Sequence, residues 1–75
     1  MDERVRKLKT VDEILRAALA KEEAAFNFYS ELLNHTKVDL VRDLVALLKD
    51  EEQKHIRLIE RKITELSLGR ALPRA

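Results

Sequence analysis

Neither glycine nor proline occurs before position 69. Glycine costs about 1 kcal/mol and proline about 3 kcal/mol in a helix interior, so a chain free of both can run as long, unbroken helices. The apolar residues recur with the matching period. At roughly 100° per residue, Val11, Leu15, Ala18, Glu22, Ala25, Phe26, Tyr29, Leu32 and Leu33 share one side of a first helix. Val41, Val45, Leu48, Glu52, His55, Ile59, Ile63 and Leu66 share one side of a second. Asn34-His35-Thr36-Lys37 breaks the pattern between them. So short a connection forces the helices to run antiparallel.

The ends of both helices carry signals. Thr10-Val11-Asp12-Glu13 has the form of a capping box and starts the first helix at Val11, while Thr36-Lys37-Val38-Asp39 offers a cap to the second. The expected spans are about 11–34 and 37–68, with Gly69 as C-cap, Pro73 as a stop, and residues 1–9 and 69–75 as flexible ends. The fold class is all-α, an antiparallel two-helix hairpin forming a single domain over 1–75.

A core of 75 residues is marginal without a disulfide, a metal or a partner chain. Cysteine is absent, which removes the first of these and with it zinc-ribbon and thioredoxin-like chemistry. Fifteen basic and 14 acidic residues leave a net charge of +1, so no field draws the chain to nucleic acid or to an anionic membrane. No apolar run approaches the roughly 18 residues of a membrane span, and Met1-Asp2-Glu3-Arg4 lacks the apolar core of a signal peptide, so a cytoplasmic location is expected. A partner chain is the remaining source of stability. Leu40, Leu44, Leu47 and Leu58 form a strip beside the second helix's main stripe, wider than one neighbouring helix covers, so other copies are expected to meet it.

Glu22, Glu52 and His55 interrupt the two apolar stripes. A carboxylate left unpaired among leucines costs several kcal/mol, roughly 2–7 kcal/mol even for a neutral polar group. Counted from the turn, Glu22 lies about thirteen residues back and Glu52 about sixteen forward, so their axial offset is only ~5 Å at 1.5 Å per residue. All three polar groups therefore sit at one depth. A divalent metal would compensate them, because carboxylates with a neutral imidazole suit iron, manganese or zinc. Glu52-Gln53-Lys54-His55 sets both donors on one helical turn, where they can reach one ion.

Carboxylate di-iron sites in helical bundles take a Glu from each of two helices and a Glu-x-x-His from each of the other two. This chain carries half of that set. A two-fold dimer would supply four carboxylates and two imidazoles for two ions per dimer, and would turn two hairpins into a four-helix bundle. Iron is favoured, since adjacent ferrous ions can pass two electrons to dioxygen or peroxide. Tyr29, two turns after Glu22 on the same face, could hydrogen-bond a ligating carboxylate, or could be ordinary core. Glu51 borders the leucine strip as a neighbour of the centre or of an accessory ion. Glu23 faces solvent and His35 lies at the turn. The alternative is a hydrogen-bonded polar cluster that fixes dimer register without catalysis.

Glu22-Glu23-Ala24-Ala25-Phe26-Asn27-Phe28-Tyr29 and Glu52-Gln53-Lys54-His55 together resemble the ferritin-like superfamily, most closely its rubrerythrin-like and encapsulated-ferritin branches. The resemblance implies a ferritin-like four-helix bundle, iron ligation by Glu22, Glu52 and His55, and a nearby Tyr29. It implies a ferroxidase that oxidises Fe(II) to Fe(III), or, in the rubrerythrin-like alternative, a di-iron protein that reduces peroxide. Rubrerythrins and ferritins carry two such hairpins per chain, whereas encapsulated ferritins carry one, as here. Encapsulated ferritins work inside an encapsulin shell and dock through a C-terminal peptide. Leu66-Ser67-Leu68-Gly69-Arg70-Ala71-Leu72 bears a faint similarity to such a peptide, and a helix C-cap accounts for Gly69 equally well.

Overall fold

A computed structural model of the chain describes residues 2–71, with side chains as far as Gly69. It contains α1 (Glu3–Arg6), α2 (Val11–His35) and α3 (Asp39–Ala71), and no strand among the described residues. Among the described residues, no helix is long and apolar enough to cross a membrane.

Helix α2 begins where the capping box places it. Thr10 is extended, with φ −113° and ψ 157°, and its hydroxyl oxygen accepts from the Glu13 backbone N–H at 3.0 Å. The same hydroxyl donates to Glu13 Oε1 at 3.0 Å, so each side chain holds the other in the first turn. Asp12 and Glu13 also put negative charge beside the unpaired N–H groups of that end.

The connection lies later and is one residue longer than the sequence suggested, residues 36–38 in place of 35–36. Thr36 finishes α2 instead of capping the next helix, its N–H donating to the Leu32 carbonyl at 2.8 Å. Helix α3 starts at Asp39, with the Arg42 N–H on the Val38 carbonyl at 2.9 Å. Arg42 then reaches back across the turn. Its guanidinium donates to the Thr36 carbonyl at 2.9 Å and also to the Leu33 carbonyl. Those are carbonyls a helix C-terminus leaves without intrahelical partners, and a cation there also complements the helix dipole.

The far end of α3 departs from expectation as well. The helix passes through Gly69 to Ala71, and no residue there takes the positive φ of a glycine C-cap. A Cβ at Gly69 would meet nothing within 4 Å, so no packed neighbour turns the chain and the helical hydrogen-bond ladder continues. Residues 66–71 of the segment compared with a docking peptide are thus helical; Leu72 and the expected stop at Pro73 lie outside the described residues. At the other end, the arm expected to be flexible contains one helical turn. Asp2 caps it by accepting from the Arg4 N–H at 2.7 Å, and the Arg4 guanidinium donates to the same carboxylate at 3.0 and 3.3 Å. These bonds hold the Asp2 carboxyl below its ordinary value and raise that of Arg4.

Helices α2 and α3 pack along a single seam whose centre is Val45 and Ile56, the two buried hydrophobic side chains among the described residues. Ile56 was not on the expected stripe. It lies about 40° from Glu52 on the helical wheel, turned toward α2, whereas the expected stripe leaned toward the open side. Lys49, also half-buried, lays its ammonium 5.1 Å from the Phe26 ring centroid, with its stem along the seam.

The molecule measures 56 × 30 × 15 Å, one helix thick. A compact monomer of 8.7 kDa exposes about 4,700 Å², whereas this chain exposes 6360 Å².

Two outcomes follow for stability, both checked by thermal unfolding at fixed protein concentration. Ile56→Ala should cost about 2–5 kcal/mol, and Thr10→Ala about 1 kcal/mol; the reverse order would mean that the seam is not the core. For Asp2, whose carboxyl is depressed, the α1 cap is present above the ordinary carboxyl range and is lost as pH falls through the depressed value. NMR titration should show that depression removed in Arg4→Ala.

Candidate metal centre

The two helices bring Glu22, Glu52 and His55 together midway along the hairpin. Glu22 projects from α2, while Glu52 and His55 project from α3 three residues apart, on one face. His55 turns Nδ1 toward both carboxylates, 3.5 Å from Glu22 Oε2 and 3.6 Å from Glu52 Oε2. One donor atom from each residue lies within 4.8 Å of the others. The cluster is open on one side: the Glu52 side chain is 17% exposed, Glu22 29% and His55 49%.

The polar atoms fit a metal better than they fit one another. Glu52 Oε2 is buried and has no hydrogen-bond partner among the described residues. At 3.6 Å the imidazole is too far to satisfy it. An orphaned carboxylate oxygen of this kind costs about 1–3 kcal/mol or more, which a bound cation removes. Oxygen and nitrogen donors sit about 2.0–2.2 Å from a tetrahedral zinc-sized ion and so about 3.4 Å from one another. From the observed spread of 4.8 Å the side chains would draw inward by roughly 1 Å to hold such an ion. Two carboxylates and an imidazole make a donor set for iron, manganese or zinc.

The rubrerythrin family model matches residues 13–75, which include α3, all of α2 but its first two residues, and all three converging residues. The chain belongs to the rubrerythrin family. That is a ferritin-like, di-iron, iron-binding family, and the helical hairpin with its carboxylate–imidazole cluster agrees with it. No curated protein and no solved structure matches the chain.

In this rubrerythrin-family hairpin the other residues singled out from sequence fall as follows. Tyr29 is half-buried and tilted 57° against Phe28, with ring centroids 5.7 Å apart. Among the described residues, no hydrogen bond joins it to Glu22, Glu52 or His55 within one chain. Glu51 is exposed and pairs with Lys54 at 3.2 Å, apart from the cluster. Glu23 is exposed, and His35 is the exposed last residue of α2. Arg42 was missed by sequence reasoning, although it controls the hairpin turn above the centre. A cation six residues past the Thr36 cap carries no signal until the fold shows which carbonyls it faces.

Replacing Glu52 by Leu removes the orphaned oxygen and the ligand together. The metal-free variant should melt at or above the wild-type temperature, and the stabilisation that excess Mn(II) or Zn(II) gives wild type, about 2.7 kcal/mol at one hundred times Kd, should disappear. A variant that is less stable without metal would assign Glu52 a structural role instead. Calorimetry with and without metal separates the two.

Proposed function

We propose that two copies of the hairpin join about a two-fold axis to complete a di-iron centre at which Fe(II) is oxidised to Fe(III), a ferroxidase activity of the encapsulated-ferritin type. The observation that carries this reading is the convergence of Glu22, Glu52 and His55 on a face the chain leaves uncovered. One chain offers three donor residues. Two chains offer four carboxylates and two imidazoles, the complement that a di-iron site in a four-helix bundle requires.

Glu22, Glu52 and His55 of the two chains would hold the Fe(II) substrate, whose oxidation would release one electron per ion; two electrons with two protons from water would take dioxygen to hydrogen peroxide, or hydrogen peroxide to two waters. The chain's own residues prepare that step. Glu22 and Glu52 bring negative charge that balances the ions and favours their ferric state, and neutral His55 contributes a donor without further charge. Leu48 and Ile59, one turn before Glu52 and one turn after His55, share the apolar stripe with the donors. Tyr29, two turns after Glu22 on the same face of α2, would serve as a donor to a ligating carboxylate of the filled centre.

Family membership equally supports a rubrerythrin-like reading in which peroxide is the oxidant, and the same donors accept manganese or zinc with little redox turnover.

Anaerobic Fe(II) titration of the metal-free protein, followed by exposure to air or to peroxide, tests the proposal. Wild type should saturate at about one iron per chain and develop ferric absorbance rapidly, with the faster oxidant naming the reaction. Glu52→Ala and His55→Ala should lose saturable binding and fast oxidation. Binding left unchanged by either substitution would make the cluster a device for assembly alone.

A further inference from the structure

Val45, Lys49, Glu52 and Ile56 follow one another along α3 at spacings of four, three and four residues, the run of positions that faces a neighbouring helix. Val45 and Ile56 are the buried centre of the seam with α2, and the two positions between them carry opposite charges. These charges are not joined. Glu52 Oε2 is buried without a hydrogen-bond partner, and the half-buried Lys49 forms no ion pair among the described residues.

Helix geometry does not forbid the pair. Lys62 and Glu65 stand in the same order and at the same spacing on the same helix, and they close to 3.2 Å. What differs at Lys49 is Phe26 of α2, whose ring centroid lies 5.1 Å from the ammonium. The negative face of the ring attracts the cation and holds it there. Phe26 follows Glu22 by four residues and Lys49 precedes Glu52 by three. On both helices the pair therefore forms the layer next to the metal centre on the side of the turn, about 4.5–6 Å along the axis at 1.5 Å per residue.

A cation parked in that layer has two effects. It leaves both carboxylates free for a metal ion, where a Lys49–Glu52 ion pair would compete for them. Its charge also repels the ion they hold, and the repulsion grows with the charge of that ion. When Fe(II) passes one electron to dioxygen or peroxide its charge rises from +2 to +3. The ammonium then opposes the product more strongly than the substrate.

We propose that Lys49, held on the Phe26 ring, sets how firmly the centre keeps its iron and favours release of the oxidised ion over its retention. This role presupposes the iron-oxidising centre proposed above.

Zn(II) calorimetry and the Fe(III)/Fe(II) midpoint potential of the iron-loaded protein test it. Lys49→Met keeps the stem and removes the charge. It should bind Zn(II) about tenfold tighter. It should also favour Fe(III) over Fe(II) by about threefold more than wild type does, lowering the midpoint by ~30 mV at about 59 mV per tenfold. Lys49→Arg keeps the charge and should match wild type in both. Phe26→Leu frees the ammonium to pair with Glu52 and should weaken Zn(II) binding, an effect that should vanish when Lys49→Met is already present. A loss that persists in that background would come from packing and would overturn the part given to Phe26. Wild-type affinity and potential in Lys49→Met would overturn the proposal and leave the di-iron reading standing. A wild type that binds neither Zn(II) nor iron saturably would overturn the di-iron reading and this role with it.

Discussion

A pair of antiparallel helices can bury only the strip along which they touch. Here that strip is the α2–α3 seam with Val45 and Ile56 at its centre, and it leaves the molecule one helix thick. Burial supplies about 25 cal/mol per Å² of apolar surface, so a chain that keeps its leucines in water gives up most of the stabilisation its sequence makes available. Both the open side of the Glu22–Glu52–His55 cluster and the exposed leucine strip of α3 are consequences of that shortage of cover.

The hairpin turn makes this arrangement useful. With three residues between α2 and α3 and Arg42 holding the last carbonyls of α2, the two helices have little freedom to slide. A slip of one turn, about 5.4 Å, would carry Glu22 out of reach of His55. The register of the centre is therefore set at one end of the molecule by hydrogen bonds from the Arg42 guanidinium to backbone carbonyls, some way from the side chains that benefit. Metal binding and folding are then linked: ions that need both helices stabilise the hairpin that presents them.

Glu52 shows how a local defect can be a functional feature. Its buried oxygen finds no hydrogen-bond partner among the described residues, and the same oxygen is a ready ligand. Glu51, its neighbour in sequence, carries the same charge but faces solvent and pairs with Lys54. One position of helical rotation separates a candidate ligand from a surface ion pair.

The sequence by itself determined the class of fold, the two long helices and their antiparallel order, because the absence of glycine and proline and the 3.6-residue period are local properties. It also singled out Glu22, Glu52 and His55, since a charge on an apolar stripe stands out in the linear pattern of residues. Its boundaries at Thr36 and Gly69 were misplaced, because a cap depends on which backbone groups a neighbour satisfies: Arg42 arrives from the next helix, and nothing packs at Gly69. Only the tertiary structure decided that Ile56 belongs to the core, that His55 Nδ1 meets both carboxylates, and that Glu52 Oε2 is left without a partner. Those facts depend on the rotation of one helix about its axis relative to the other. Periodicity marks the side of a helix that turns inward to within about one residue, roughly 100°, and only packing against α2 settles the remainder.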